Sequence, residues 1–551
     1  MKTYKRHWRP GVCQAVLSLS LPLLIAIAAP PQSAVDPKIA AGFNAIREKD
    51  LRADLTFLAS DALEGRMSLQ RGSEVAINFI AAEFARAGLK PLTEDSYLQP
   101  VELIEYRADA RAMRLKLVRG GGEQSYESPK DFVGGFPIEM TVRAPVVFAG
   151  YGVTAPEFGY DDYKGLDAKG KIVLVFDHEP QENNPKSVFN GLGNTRHANS
   201  RLKVLNAQRH GAVGVLLVSE PNRKHPSNQE RMARIPRTAR TPLPSQALAD
   251  SETKIPLLVV SDALAARLLE PTGKKPGELQ SAIDASPQSQ SQALADTTVE
   301  MRIVNGEHRR GVSYNVIGLI EGGDPQLKNE TIVFSGHYDH DGMRDGQIFH
   351  GADDNGSGTV GVIELARAFA ANPAKPKRSL LFAVFAAEER GLLGSYFYVA
   401  HPLRPLQTTR AVINFDMIGR NETPSAQTEG LIEIAADTSN ELNLIGVINS
   451  PDYRDVVERE NARVGLKINY KWDGDAALNV FQRSDQFPFA LRDIPAMWWF
   501  TGFHPDYHQT TDTVEKINFA KMEKILKLAY LSGWAFADGA NAPRFVSKPQ
   551  S

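Results

Sequence analysis

Imidazole and carboxylate side chains stand directly after several short apolar segments of this 551-residue chain. The groups are His337 and Asp339, Asp353 and Asp354, Glu388 and Glu389, Asp416 and, much later, His508. Imidazole nitrogen and carboxylate oxygen are ligands that suit zinc, and two metal ions about 3.5–4 Å apart need a carboxylate that bridges them. Because carboxylates that converge with two histidines would repel one another unless cations neutralised them, the set favours a bound metal pair over an empty acidic cleft.

Each of these motifs, taken alone, has an ordinary structural interpretation. Asp353-Asp354-Asn355-Gly356 is typical of a turn that caps the following helix, and paired glutamates are favourable at the start of a helix. A single loop histidine is more often hydrogen-bonded than metal-bound. The occurrence of all the motifs in order, each near the end of an apolar run, favours a functional site.

The elements that must position these groups alternate between strands and helices from residue 312 onward. Apolar runs of strand length occupy 315–320, 331–335, 379–385, 411–415 and 496–500, and helical runs occupy 359–370 and 521–537. Uniformly apolar strands separated by amphipathic helices predict an α/β fold whose sheet is covered on both faces. Ligands of open α/β sheets bind at the carboxyl ends of the strands, which is where these groups fall.

Five short motifs together resemble a known family. They are G-H-Y-D at 336–339, G-A-D-D-N-G-S-G at 351–358, A-A-E-E-R-G at 386–391, N-F-D-M-I-G at 414–419, and Y-H before T-T-D-T within 507–513. The chain resembles the co-catalytic di-zinc aminopeptidase family, whose relatives include glutamate carboxypeptidase, glutaminyl cyclase and the transferrin receptor. L-A-S-D at 58–61 and L-E-G-R at 63–66 are similar to the first helical region of that family. The resemblance implies a three-layer, mostly parallel-core sheet of the zinc exopeptidase type.

The resemblance also implies two Zn2+ ions and a ligand set for them. His337 and Asp416 would hold one zinc ion, Glu389 and His508 would hold the other, and Asp354 would bridge the two. The implied protein is an exported zinc metallopeptidase that acts as an aminopeptidase and removes N-terminal residues from peptides through a metal-bridging hydroxide.

Two further residues receive roles by the same resemblance. Glu388 would be the catalytic general base, and Asp339 would orient the imidazole of His337 from outside the metal ligands. The family has a cis peptide bond after its bridging aspartate, so the bond between Asp354 and Asn355 is expected to be cis.

An inserted segment has a resemblance of its own. It resembles the protease-associated domain found inserted in some members of the family. The matching motifs are Y-G-V at 151–153, D-D-Y at 161–163, G-K-I-V-L-V at 170–175 and G-A-V-G-V-L-L at 211–217. The resemblance implies that the insertion is a β-rich α/β unit that covers the cleft or shapes substrate access. The predicted divisions are a signal peptide at 1–28, the N-terminal part of the peptidase domain at 36–140, the protease-associated insertion at 141–300 and the main part of the peptidase domain at 301–545. Residues 221–248, rich in Pro, Arg, Ser and Gln, predict a long exposed loop.

The N-terminus predicts export. Four basic residues precede an apolar run at 16–29, and A-I-A at 26–28 has the form of a cleavage site, as in a secretory signal peptide. The run is shorter than the roughly 20 residues that span a membrane, so a cleaved signal is favoured over an anchor. The only cysteine, Cys13, lies inside this segment, so we expect neither a disulfide scaffold nor a cysteine hydrolase.

Partners and location follow from the same composition. The formal net charge of −2 gives no polyanion-binding surface, so the expected partner is a peptide substrate and not nucleic acid. The expected location is periplasmic or secreted, with no stable membrane span after signal cleavage. The sequence leaves open the oligomeric state and the preferred N-terminal residue of the substrate.

Competing functions stay open on the same scaffold. A carboxypeptidase or dipeptidase would need a cationic group for the substrate carboxylate, and Arg390, Arg420 and Arg483 cannot be placed from sequence. A glutaminyl cyclase uses one zinc ion, and a binding protein of the transferrin-receptor kind should have lost ligands, so both are less favoured. The family often has Ser-Asp-His before its last strand, whereas this chain has Gln486 at the third position, which puts substrate contacts there in doubt. His340, His350 and His504 are interpreted as groups outside the metal ligands or at the surface.

Overall fold

The computed structural model describes residues 1–3, 5, 7, 35–189, 191, 193–234 and 238–547. Most of the predicted signal peptide at 1–28, with Cys13, lies outside these residues. Of the helices in the described part of the chain, none has the length and apolar character needed to cross a membrane.

A large mixed sheet with a parallel centre forms the middle layer of the fold. Its strands in spatial order are Ser245–Leu248, Leu98–Ala108, Asn305–Ile320, Ser379–Phe385, Thr331–His337, Thr409–Phe415, Ala496–Phe500, Glu441–Ile445 and Lys467–Asn469, and Lys90–Pro91 pairs with Asn305–Ile320. The four strands from Ser379–Phe385 to Ala496–Phe500 run parallel, and antiparallel pairs flank them on both sides. The predicted α/β fold with a mostly parallel core is confirmed.

Helices cover both faces of this sheet because the central strands are apolar on both sides. Alternate strand residues, such as Phe334 and Phe382, pack against one set of helices, and the residues between them, such as Val333 and Leu381, pack against another. The first set is Glu48–Leu58, Arg71–Arg86, Gly358–Ala371, Pro451–Asn461 and Phe519–Asp538, and the second is Leu393–Ala400 and Gln486–Ala490. The short helix Ala40–Ala45 also packs on the first face, against Gly358–Ala371. The result is the predicted three-layer arrangement.

The inserted segment builds a second sheet with its own core. Its strands in spatial order are Gly122–Glu127, Arg114–Arg119, Gln292–Ile303, Met140–Phe148, Ile172–Phe176, Gly214–Val218, Leu257–Val260 and Phe132–Gly135. Helices Ser200–Arg209, Asp262–Leu269 and Pro276–Ala285 contribute buried residues to its two apolar clusters. This sheet takes in strands on both sides of residue 141, and the predicted domain limits stay a prediction.

The segment 221–248 is more ordered than its composition suggests. It contains the helix Asn228–Arg234 and the strand Ser245–Leu248, which pairs with Leu98–Ala108 at the edge of the large sheet. An edge strand needs only one paired side, so four residues without a strong apolar pattern can complete the sheet. The expectation of a long exposed loop was therefore wrong for these two stretches.

Arg66 ties the N-terminal helices to the loops beneath the predicted site. The side chain is 1% exposed, and its guanidinium donates to four backbone carbonyls, those of Leu58, Tyr338, His350 and Gly351, at 2.6–2.8 Å. Gly65 precedes it with φ of +71°, and a Cβ there would lie 2.3 Å from the Phe349 carbonyl oxygen. In the L-E-G-R motif, Gly65 therefore allows the backbone to pack closely against Phe349, and Arg66 provides a buried hydrogen-bond donor for the surrounding carbonyls.

The substitution Arg66→Met should lower stability by at least about 3 kcal/mol, because buried carbonyls that lose their donors cost about 1–3 kcal/mol each. The matched control is Arg71→Met, since Arg71 is exposed at the start of the next helix. Thermal unfolding of the two variants beside the parent chain measures the difference. Equal midpoints for both variants would remove this role from Arg66.

Candidate functional site

The parallel strands end side by side and bring their trailing loops together. His337 lies opposite Phe385 of one neighbouring strand, and Phe415 lies opposite Trp499 of another. The loops that follow these strands carry the two glutamates, Asp416 and His508, and the turn before helix Gly358–Ala371 carries Asp354. All the predicted site residues therefore converge at the carboxyl ends of the parallel strands.

His337 forms the first half of the cluster. Its Nε2 atom lies 3.7 Å from Asp354 Oδ1, 3.6 Å from Glu388 Oε2 and 3.5 Å from Asp416 Oδ2. These four side chains are buried, yet His337 Nε2 has no hydrogen-bond partner. A buried polar atom without a partner, aimed at three carboxylates, is unusual in a folded protein.

His508 forms the second half. Its Nε2 atom lies 3.2 Å from Asp354 Oδ2 and 3.3 Å from Glu389 Oε2, and it also lacks a hydrogen-bond partner. Asp354 thus presents one carboxylate oxygen to each histidine. The following peptide bond, between Asp354 and Asn355, is cis, as the resemblance implied.

These separations fit donors that share metal ions. Two donors on one tetrahedral zinc ion, each at about 2.0–2.1 Å, lie roughly 3.3 Å apart. One group of donor atoms comes from His337, Asp354 and Asp416, and another comes from Asp341, Glu389 and His508. The donor set, the unpartnered imidazole nitrogens and the placement of Asp354 between the two groups fit a pair of zinc ions, while the role of each residue stays a prediction.

The electrostatics of the cluster point the same way. Burial raises the pKa of Glu388 well above its ordinary value, and the carboxylates of Asp416 and Glu389 act in the same direction. Burial lowers the pKa of His337, but Glu388 and Asp416 outweigh it and leave that pKa well above its ordinary value. Both shifts have the same cause, which is the crowding of negative charge in the cluster, and divalent cations would relieve that crowding.

Asp339 holds the loop that carries both glutamates. Its carboxylate accepts hydrogen bonds from the backbone N–H of Glu388 at 3.0 Å and of Glu389 at 3.4 Å. The Nδ1 atom of His337 lies 3.2 Å from the Asp339 carbonyl oxygen and 3.8 Å from its carboxylate. The residue thus faces both the predicted base and the predicted ligand.

Asp512 supports the turn that carries Asp354, a role that sequence reasoning did not assign. Its Oδ2 atom accepts hydrogen bonds from the backbone N–H of Asp353 at 2.9 Å and of Asp354 at 3.2 Å. Gly351 opens this turn with φ of +54°, and a Cβ there would lie 2.1 Å from the Asp354 carbonyl oxygen. The signal was present in the sequence, because Asp512 belongs to the T-T-D-T motif directly after His508.

His340 lies close to the cluster, and so does Asp341, which sequence reasoning did not consider. His340 is fully buried, and its Nδ1 atom is 2.6 Å from Glu389 Oε1 and 4.0 Å from Asp354 Oδ2. Asp341 lies 3.1 Å from Nδ1 of His508 and so fixes the orientation of that ring. Both residues follow Asp339 directly, where a strand-end pattern cannot distinguish ligands from supports.

The remaining candidates have ordinary partners. His350 lies 2.9 Å from Asp61, and His504 lies 3.2 Å from Asp353. Gln486 accepts from the amide of Asn414 and donates to a backbone carbonyl. These three side chains support the site from outside the cluster.

The fold is the predicted α/β fold of the zinc exopeptidase type, with an inserted β-rich unit. Comparison with family models identifies both parts: residues 315–531 match peptidase family M28, and residues 142–268 match the PA domain. The family resemblance drawn from the motifs is thereby confirmed.

Two similar proteins show how far the likeness extends. Leucine aminopeptidase 2 of Arthroderma otae is 28% identical over 247 residues, which cover 41% of this chain and 45% of that protein. Leupeptin-inactivating enzyme 1 of Streptomyces exfoliatus is 26% identical over 251 residues, which cover 42% of this chain and 50% of that protein. The chain therefore spans about half the length of each. The solved structure of an aminopeptidase from Aneurinibacillus sp. strain AM-1 covers 94% of this chain and 99% of its own, at 19% identity and a TM-score of 0.49.

The substitution Asp354→Asn should reduce zinc binding in this cluster from two ions to one or fewer, because an amide offers one acceptor oxygen where the cluster needs two. Metal analysis of the dialysed protein measures this change. His350→Gln is the matched control, since that histidine lies near the cluster but is bonded to Asp61. Full zinc retention by Asp354→Asn would show that this carboxylate is not shared.

Proposed function

We propose that this protein is an exported aminopeptidase that uses two zinc ions to remove N-terminal residues from peptides. The observation that carries the proposal is the placement of Asp354, whose two oxygens face two separate histidine–carboxylate groups. His337 and Asp416 would hold one ion, and Glu389 and His508 would hold the other. The predicted signal peptide supports export and a periplasmic or secreted location.

The chemistry divides between the ions and the chain. Bound zinc would polarise the scissile carbonyl and lower the pKa of water held beside it. Glu388 Oε2 lies 3.6 Å from His337 Nε2 within the cluster, so its carboxylate can take the proton of the attacking water. The water oxygen bonds to the carbonyl carbon, the C–N bond breaks, and Glu388 passes the proton to the leaving amine nitrogen.

The surroundings of Glu388 suit this role. Its backbone N–H is fixed by Asp339, while its carboxylate is buried and raised in pKa. Such a carboxylate binds a proton more readily than an exposed one, which favours proton uptake during the reaction. Glu389, one residue later, faces His508, so the two adjacent glutamates serve different sides of the cluster.

Two of the three arginines that could bind a substrate carboxylate are already paired, which favours an aminopeptidase over a carboxypeptidase. Arg390 pairs with Asp341 at 2.6 Å, and Arg420 pairs with Asp506 at 2.8 Å, so both cations already have carboxylate partners. Arg483 instead donates to the hydroxyl of Tyr507. The names of the two similar proteins from Arthroderma and Streptomyces also support hydrolysis of peptides.

The insertion narrows access to the site. A cleft of about 370 Å³ is lined by residues 238–243 of the insertion on one side and by Asp341, Glu389 and His508 on the other. Asp345 anchors that stretch by accepting from the backbone N–H of Arg240 at 2.7 Å and from the hydroxyl of Thr241. A mouth closed on one side by the insertion suits removal of terminal residues from flexible peptides.

The substitution Glu388→Gln should retain both zinc ions and lower kcat by about 10²–10⁴-fold, because an amide keeps the shape of the side chain but cannot accept the proton. Hydrolysis of leucine p-nitroanilide and metal analysis of the same samples measure the two effects. Glu433→Gln, at an exposed glutamate, is the control. Activity near the parent level in Glu388→Gln would exclude Glu388 as the base.

The assignment as an aminopeptidase is tested by blocking the substrate amine. Leucine p-nitroanilide should be hydrolysed at least about 100-fold faster than its N-acetyl form, a difference of about 2.7 kcal/mol in the free energy of activation. Peptides with a free amine and an amidated C-terminus should also be cleaved. Preference for N-blocked peptides with a free carboxylate would overturn the assignment in favour of a carboxypeptidase.

A further inference from the structure

A second cluster of histidines and glutamates lies in the insertion, away from the site described above. Strands Ile172–Phe176 and Gly214–Val218 run parallel, with Phe176 opposite Val218, so their carboxyl ends lie side by side. His178 and Glu182 follow the first strand, and Glu220 and His225 follow the second. The same arrangement of strand ends that assembles the main site therefore assembles this one.

The four side chains meet in a buried space. His225 Nε2 lies 2.9 Å from Glu182 Oε2 and 3.3 Å from Glu220 Oε1, and His178 Nδ1 contacts the other oxygen of Glu182. The two imidazole rings stack at 4.5 Å between centroids. Every one of the four side chains is less than a tenth exposed, and one donor atom from each lies within 4.8 Å of the other three.

Glu220 distinguishes this cluster from a simple ion pair. Both histidines contact the carboxylate of Glu182, so an ion pair between an imidazolium and Glu182 would satisfy these three side chains. It leaves Glu220 Oε1 buried, beside His225 and without a hydrogen-bond partner. A buried carboxylate oxygen without a partner is costly unless a cation neutralises it.

The described cations near the cluster have other partners. Lys203 donates to the backbone carbonyls of Tyr151 and His178, and Arg223 pairs with Glu230 at 3.2 Å. Arg223 also donates to the backbone carbonyl of Glu220 at 3.1 Å, but neither side chain has a hydrogen bond to the carboxylate of Glu220 among the described contacts. With neutral imidazoles the cluster holds two carboxylate charges, which one divalent ion would balance.

We propose that His178, Glu182, Glu220 and His225 bind a third zinc ion with a structural role. Two imidazoles and two carboxylates without thiolate form a donor set that suits zinc, and four protein ligands are typical of a closed, structural site.

Contacts around the cluster show what such an ion would stabilise. Asn194 donates to Glu182 Oε1 at 3.0 Å and to Asn479 Oδ1 at 2.6 Å, which joins the insertion to the peptidase part. The segment that contains Asn479 continues to Arg483, which contacts Tyr507 beside His508. An ion in this cluster would therefore hold the insertion against the loop that borders the main site.

Zinc analysis of the full-length, tag-free protein tests the proposal. The parent chain should hold one more zinc ion than His225→Gln, and Glu182→Gln should lose the same single ion. The matched control His210→Gln, at an exposed histidine of the insertion that stacks on Tyr163, should retain the parent content. Equal zinc in the parent chain and in a correctly folded His225→Gln variant would overturn the proposal.

A second measurement keeps the test decisive if these variants fold poorly. Crystals of Asp354→Asn, whose main site is disrupted, should still show an anomalous zinc peak between His178 and His225 after dialysis against a mild chelator. Absence of that peak would also overturn the proposal. Because these outcomes depend on differences in metal content and not on turnover, they stay informative if the chain proves not to be an aminopeptidase.

Discussion

The arrangement of this protein depends on a cluster of buried carboxylates at the carboxyl ends of the parallel strands in its large sheet. Asp354, Glu388, Glu389 and Asp416 converge on two imidazoles whose Nε2 atoms have no hydrogen-bond partner. Such a set would be costly without cations, because buried like charges repel and buried unpaired atoms lose their hydration. The surrounding fold holds these side chains close together despite their mutual repulsion.

Several buried polar residues support the loops of the site and do not enter the cluster. Arg66 binds backbone carbonyls beneath it, Asp512 accepts the backbone N–H groups of the turn that carries Asp354, and Asp341 fixes the ring of His508. Each of these contacts joins segments that are far apart in the sequence. The geometry therefore depends on the complete fold, since none of these loops would keep its shape alone.

The sequence predicted the parallel strands and the residues at their ends, because uniformly apolar runs of strand length, such as 379–385, are typical of the buried strands of an α/β sheet. It could not separate ligands from supports: His340 and Asp341 adjoin Asp339, and only tertiary packing shows which groups they meet. The edge strand Ser245–Leu248 was missed because its residues lack an apolar pattern. The cluster around His178 was missed because its four residues belong to no family motif. The first and the last of them are 47 residues apart, and only the pairing of two strands brings them together.

The proposed site requires that two metal ions share the carboxylate of Asp354. Diffraction from crystals of the zinc-loaded protein, recorded on both sides of the zinc absorption edge, tests it directly. We expect two anomalous peaks about 3.5–4 Å apart, one beside His337 and one beside His508, with the Asp354 carboxylate between them. A single peak in this site, or peaks that do not contact Asp354, would contradict it.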